Sequence, residues 1–172
     1  MQNANALPMI VRILGYAGLL PFIGLAIMVQ TASTPFDFIA AESLASYGAV
    51  ICSFLGAIHW GANLCRLHNA EIESLAKAGD VGGYRWFERN AWVWGVIPSL
   101  IAWLALHVYI PVGLFILAAV LLVQRGIDQN TYQYYFSSQL AHTAFMAMRT
   151  RLTAIASVCL AWAATVMLLT MT

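Results

Sequence analysis

The chain has 172 residues, of which 62% are hydrophobic and only 9% charged, and its mean hydropathy is +0.77. A soluble domain is about 45–50% apolar and about 25% charged, so lipid is the solvent this composition fits, and the predicted fold is one all-α domain, an integral membrane bundle over 1–172. A formal net charge of +1 excludes a strongly basic nucleic-acid surface, and no Walker, dinucleotide or zinc-finger spacing is present.

The N-terminal stretch MQNANALPMIVR lacks the charged region and cleavage site of a signal peptide, so the first apolar segment is expected to remain as a span. A span needs about 20 apolar residues, and 9–30 is the first. Gly15, Gly18, Pro21 and Gly24 give it a packing surface and a kink. Residues 31–43, TASTPFDFIAAES, read as a loop with turn chemistry at Thr34-Pro35. The second span is 44–65. Ala45, Ala49, Ser53, Ala57 and Gly61 repeat every four residues, as do Gly48, Cys52 and Gly56, so two small-residue stripes run along this helix. Close approach through small residues replaces hydrophobic drive between lipid-solvated helices, which makes this span the expected central helix, with Gly48, Ser53, Gly56 and Gly61 at its contacts.

Residues 66–90 form a second loop in which a short interfacial helix is expected before Gly79, Gly82 and Gly83. The following apolar stretch is too long for one span. It contains His107-Val108-Tyr109-Ile110-Pro111, and proline suits a first helical turn, so it divides into spans at 91–107 and 111–124. The apolar part of the latter rises only about 20 Å. Two readings stay open for it: continuation past Arg125 toward Asp128 with the arginine snorkelling, or a re-entrant hairpin. In the loop 125–151, Tyr132, Tyr135, Phe136 and Leu140 share one face of a second expected interfacial helix. The last span is 152–171.

Five spans put every lysine and arginine (Arg12, Arg66, Lys77, Arg85, Arg89, Arg125, Arg149 and Arg151) on one side, with Asp37 and Glu42 on the other. The positive-inside rule then predicts a cytoplasmic N-terminus and an external C-terminus. Trp86, Trp92 and Trp94 suit an inner aromatic belt and Trp103 an outer one. Cys52, Cys65 and Cys159 show no paired spacing and read as small core residues.

His59, inside the second span, is the main candidate site. Ionisable groups in a bilayer face protein or water rather than lipid. Cys52, His59 and Arg66 share a face at heptad spacing, and Asn63 follows His59 by one turn. His59, Trp60, Asn63 and Arg66 therefore define a candidate pocket for a quinone carbonyl, a lipid headgroup or a proton. The structural alternative is a neutral histidine donating to a neighbouring helix. Haem is disfavoured, because His107 lies at the wrong depth to pair with His59. No metal is expected: His59, His68 and His142 have no diagnostic ligand spacing. Asp128 and Arg149 are expected to form an ion pair that pins two span ends, or else to act as ordinary interfacial anchors.

Gly15-Tyr16-Ala17-Gly18-Leu19-Leu20-Pro21-Phe22, Tyr47-Gly48-Ala49 running into Ser53-Phe54-Leu55-Gly56 and His59-Trp60-Gly61, and Arg149 followed by Leu152-Thr153, resemble a family of small bacterial proteins that is a domain of unknown function. That family is similar to the eukaryotic transmembrane protein sixty-nine of mitochondria. The resemblance covers nearly the whole chain and implies five helices and a bacterial inner-membrane or mitochondrial inner-membrane location, with no established activity. Size and tryptophan content are also similar to the tryptophan-rich sensory proteins that bind porphyrins or sterols, an analogy at fold level only.

No GxSxG or HExxH motif is present, and the loops are too short for a soluble catalytic domain. The leading expectation is a non-catalytic accessory or assembly subunit of a larger membrane complex handling electrons or quinones, with lipid and other membrane subunits as partners and no nucleic acid. The alternative is a binding or carrier protein for a quinone, lipid or porphyrin, using the His59 pocket.

Overall fold

The structure is a computed structural model, which describes residues 7–67, 90–132, 136 and 139–170. The expected interfacial helix of the 66–90 loop lies outside them, as do His68, Lys77, Arg85, Trp86 and Arg89, and for Arg66 only the backbone is described. The described residues form helices and no strand. These are α1 (Met9–Ala17), α2 (Leu19–Thr31), α3 (Phe36–Leu67), α4 (Ile97–Ala105), α5 (Ile110–Thr131) and α6 (Gln139–Thr170).

Two prolines account for two of the breaks. A proline clashes with the carbonyl four residues before it and cannot donate to it. Pro21 acts in this way on Ala17, where α1 ends, and Gly18 joins α1 to α2. The Tyr47 hydroxyl of α3 donates to the Gly18 carbonyl at 2.9 Å, and the Tyr47 ring meets Phe22 edge-on with centroids 5.0 Å apart. The kink expected in the first span is therefore at Gly18. Pro98 acts likewise on Trp94: the helical turn 90–94 stops there and α4 begins at Ile97. The sequence reading treats 91–107 as unbroken because it weighs Pro111 and not Pro98. Pro111 itself sits in the first turn of α5, as expected.

Among the described residues, four segments are long and apolar enough to cross a membrane: Met9–Thr31, Phe36–Cys65, Ile110–Thr131 and Gln139–Thr170. The apolar segment Asn90–Ala105 is shorter, rising about 24 Å against the roughly 30 Å of a hydrocarbon core. The expected order of strength is thus reversed. The segment after Pro111 is full length because α5 continues past Arg125 and Asp128, and the segment before it is the short one. Two boundaries also move. Residues 36–43, expected in a loop, are the first turns of α3, and 139–151, expected in an interfacial helix and loop, are the first turns of α6. Asp37 in the first turn of α3 suits the positive end of the helix dipole, and its Oδ2 accepts from the Thr34 hydroxyl at 3.3 Å.

α3 packs against α2, α4, α5 and α6, and α6 packs against α1, α2, α3 and α5, so the two long helices share the centre. The core joins Leu19, Phe22 and Ala26 of α2, Ala41, Leu44 and Cys52 of α3, Leu114, Leu117 and Leu121 of α5, and Leu160 and Ala163 of α6. Gly48, Cys52 and Gly56 are buried along their whole stripe. The other stripe is covered only at Ala45 and Ala49, because Ala57 and Gly61 are exposed. A methyl group on Gly48 would lie 3.3 Å from Leu160 Cδ2 and 3.4 Å from Leu117 Cδ1, whereas nothing lies within 4 Å of one on Gly61. Ser53 is half-buried and its hydroxyl donates back to the Ala49 carbonyl. Leu20, Ile27, Val50, Phe54, Leu100, Leu104, Leu122, Val158 and Trp162 all point outward. An outer belt of large apolar side chains is what lipid solvates and water does not.

Candidate functional site

The polar residues of the spans converge where α3, α5 and α6 meet. Cys52, His59 and Asn63 are buried on α3. Gln124 and Asp128 are one turn apart on α5, and Arg149 and Thr153 are one turn apart on α6. Side chains three or four residues apart share a helix face, so each helix presents a short polar strip to the others.

Asp128 is the hub. Its Oδ1 lies 3.1 Å from His59 Nε2, while its Oδ2 accepts from Arg149 Nη2 at 2.9 Å and Nε at 3.1 Å. A carboxylate facing an arginine only accepts, so the His59 Nε2 proton is the donated one, and this selects the ring tautomer. Arg149 Nη1 donates to the Thr153 hydroxyl at 2.6 Å. His59 and Asp128 are each 1% exposed and Arg149 4%, so the pair is sealed from both lipid and water. A buried ion pair is tolerated when further hydrogen bonds satisfy its remaining donors and acceptors, and His59 and Thr153 supply them here. One turn away, Gln124 Nε2 donates to the Cys52 carbonyl at 3.0 Å. The Tyr132 ring covers His59 at a centroid distance of 5.3 Å and continues to Phe145 at 5.7 Å.

A cavity of about 310 Å³ opens beside His59, between α3, residues 90–97 and the end of α5. His59, Asn90, Trp94 and Thr131 line it amid Val93, Ile97 and Ile127. Trp94 Nε1 is buried within the protein with no hydrogen-bond acceptor. Thr131 is already engaged, its hydroxyl donating to the Ile127 carbonyl at 3.1 Å. Asn63 Nδ2 and Gln124 Oε1 are also buried without partners. Such groups are few in folded proteins, and each calls for an explanation.

The residues singled out in the sequence are divided by the fold. His59 and Asn63 are in the buried strip. Of the two readings left open for Asp128 and Arg149, pairing and interfacial anchoring, the structure has them in a buried pair, and His59 joins them as a third member that the sequence reading leaves out. Trp60 faces away, 42% exposed. Its indole nitrogen donates to the Trp92 carbonyl at 2.8 Å and its ring meets Trp92 edge-on at 4.9 Å, so it ties α3 to the turn before α4. Trp60→Phe keeps most of that ring contact and loses the bond. It is expected to cost about 1 kcal/mol, measured as a drop in melting temperature in detergent with unchanged helix content.

Gln124, Trp94, Tyr132 and Thr153 are the site residues missing from the sequence-based pocket. The available signal was polar spacing: Gln124 with Asp128, and Arg149 with Thr153, repeat at four residues within apolar segments. Among the described residues no cluster of three histidine, cysteine or acidic side chains could hold a metal ion.

The bundle and this sealed polar centre define an α-helical integral membrane protein. Over residues 7–165 the chain matches the family described as Protein of unknown function (DUF3429), and it belongs to that family. No curated protein and no solved structure matches it.

Proposed function

We propose that this protein binds a small amphipathic molecule in the His59 cavity and does no chemistry on it. The observation that carries this reading is the cavity itself, an apolar wall interrupted by His59, Asn90 and Thr131. Ligand sites combine apolar walls with a few convergent polar groups in volumes of about 300–1,000 Å³. A ligand suited to this one has an apolar body and a hydrogen-bond-accepting oxygen, as in a quinone carbonyl or a lipid ester. Asp128, itself held by Arg149, fixes the imidazole in place at the cavity wall. Of the two functions expected from sequence, ligand binding is the one with a cavity behind it.

Arg12, Arg125 and Arg151 gather at the end of the bundle where α5 stops and α6 starts, and Asp37 lies at the far end of α3. This distribution supports a cytoplasmic N-terminus in a bacterial inner membrane.

The test is binding of a decyl-substituted benzoquinone to the purified full chain, read as quenching of tryptophan fluorescence. Saturable quenching is expected, weakened by Ile97→Phe, which narrows the cavity. His59→Phe fills the space and should abolish it. Quenching that never saturates in the parent protein would overturn the proposal.

A further inference from the structure

A second cleft, distinct from the His59 cavity, lies between α1 and α6 at the arginine-bearing end and has a volume of about 320 Å³. Arg12 and Tyr16 line it from α1, one turn apart on a single face, and Leu140, Ala144, Ala147 and Arg151 line it from one face of α6. The two alanines leave a shallow floor between the helices, and Leu140 continues it as an apolar wall. Arg12, Tyr16 and Arg151 are all exposed.

Charge sets this cleft apart. Among the described residues, neither Arg12 nor Arg151 has an ion-pair partner. The carboxylate of Asp128 is already held by Arg149 and His59, and the other acids described, Asp37 and Glu42, lie on the first turns of α3. Arg149 and Arg151 are two residues apart on α6 and face opposite ways, one into the buried centre and one into the cleft. Two guanidinium groups and a phenol therefore surround a groove whose floor is apolar, at the end of a membrane bundle, with no anion among the described residues to balance them.

We propose that this cleft holds one anionic phospholipid. The phosphodiester would lie between Arg12 and Arg151 with the Tyr16 hydroxyl as a further donor, and an acyl chain would run over Ala144 and Ala147. The occupant follows from complementarity. Guanidinium pairs strongly with phosphate oxygens, the apolar floor asks for a chain that free phosphate lacks, and basic pockets between membrane helices suit such headgroups.

The test uses the purified full chain in a neutral detergent, with retained lipid read by native mass spectrometry during titration with phosphatidylglycerol or phosphatidylcholine. Phosphatidylglycerol should be retained at least about fivefold more tightly. Arg12→Gln and Arg151→Gln should each weaken it about fivefold, and together they should remove the preference. Arg125→Gln, which removes the same charge from outside the cleft, should leave the preference intact. Ala147→Phe keeps both arginines and fills the groove, so it should also weaken retention. Equal retention of the two lipids by the parent protein would overturn the assignment, as would an unchanged preference in the double variant or unchanged retention in Ala147→Phe. Displacement of the lipid by millimolar inorganic phosphate alone would assign the arginines to a free anion and would equally overturn it.

Discussion

Arg149→Leu is expected to cost about 3–5 kcal/mol of stability, the usual effect of removing one partner from a buried ion pair. The reason is what remains. Asp128 is 1% exposed, and without the guanidinium its carboxylate keeps one donor, His59 Nε2, for two oxygens. The Thr153 hydroxyl loses its donor at the same time. The reverse change is less severe when both charges go together. Asp128→Asn with Arg149→Leu leaves an amide oxygen to accept from His59 and replaces the guanidinium by a side chain that packs, so the double variant should recover a large part of the loss. Equilibrium unfolding of the four proteins in mixed detergent micelles measures this as a double-mutant cycle. An Arg149→Leu variant that unfolds within about 0.5 kcal/mol of the parent would show that the pair is solvated and does not seal the bundle.

The same centre shows what a single sequence discloses about a membrane protein. Hydropathy finds where a chain meets lipid, and it located the apolar middles of α2, α3, α5 and α6 well. Helix ends are set by backbone hydrogen bonding and by proline, not by lipid. α3 and α6 each have 32 residues and rise about 48 Å, so their polar ends extend past a hydrocarbon core about 30 Å thick. Asp37 and Glu42 looked like loop residues for that reason, and so did 139–151. The charge of Arg149 suggests a span boundary, yet it lies ten residues into α6 with its side chain enclosed by protein. The Asp128–Arg149 pair could be anticipated from opposite charges at matched depth. The addition of His59 could not, because it depends on how far α3 is rotated toward α5, and periodicity within one helix does not give that angle. Trp60 illustrates the same gap: it is adjacent to His59 in the chain, and the rotation of about 100° between neighbouring helical residues takes it out of the polar strip.

Gly56→Leu is expected to destabilise the bundle by about 3 kcal/mol, at the upper end of what overpacking costs. The first atom of any side chain at this position would lie 2.7 Å from the Gly95 carbonyl oxygen. A carbonyl in a helical turn cannot turn aside as a flexible side chain can. The contact is reciprocal, since a methyl group on Gly95 would sit 3.2 Å from the Gly56 carbonyl oxygen and would run into the Trp60 ring. Two glycines thus let α3 and the turn before α4 touch backbone to backbone, the close approach that holds helices together where lipid removes the hydrophobic drive. Gly61→Leu is the matched control, with the same substitution on the same helix and nothing within 4 Å of the added carbon. It should melt within a degree or two of the parent, while Gly56→Leu melts well below it and loosens the Trp60–Trp92 contact, visible as a red shift in tryptophan emission. The His59 cavity is walled by the segment that Gly56 seats, because Trp94 and Ile97 lie one and two residues from Gly95. Gly56→Leu should therefore also weaken quinone quenching, although it touches no wall of the cavity. Equal melting of the two variants would mean that residues 90–97 are held by something other than this glycine contact, and the cavity wall would need a different anchor.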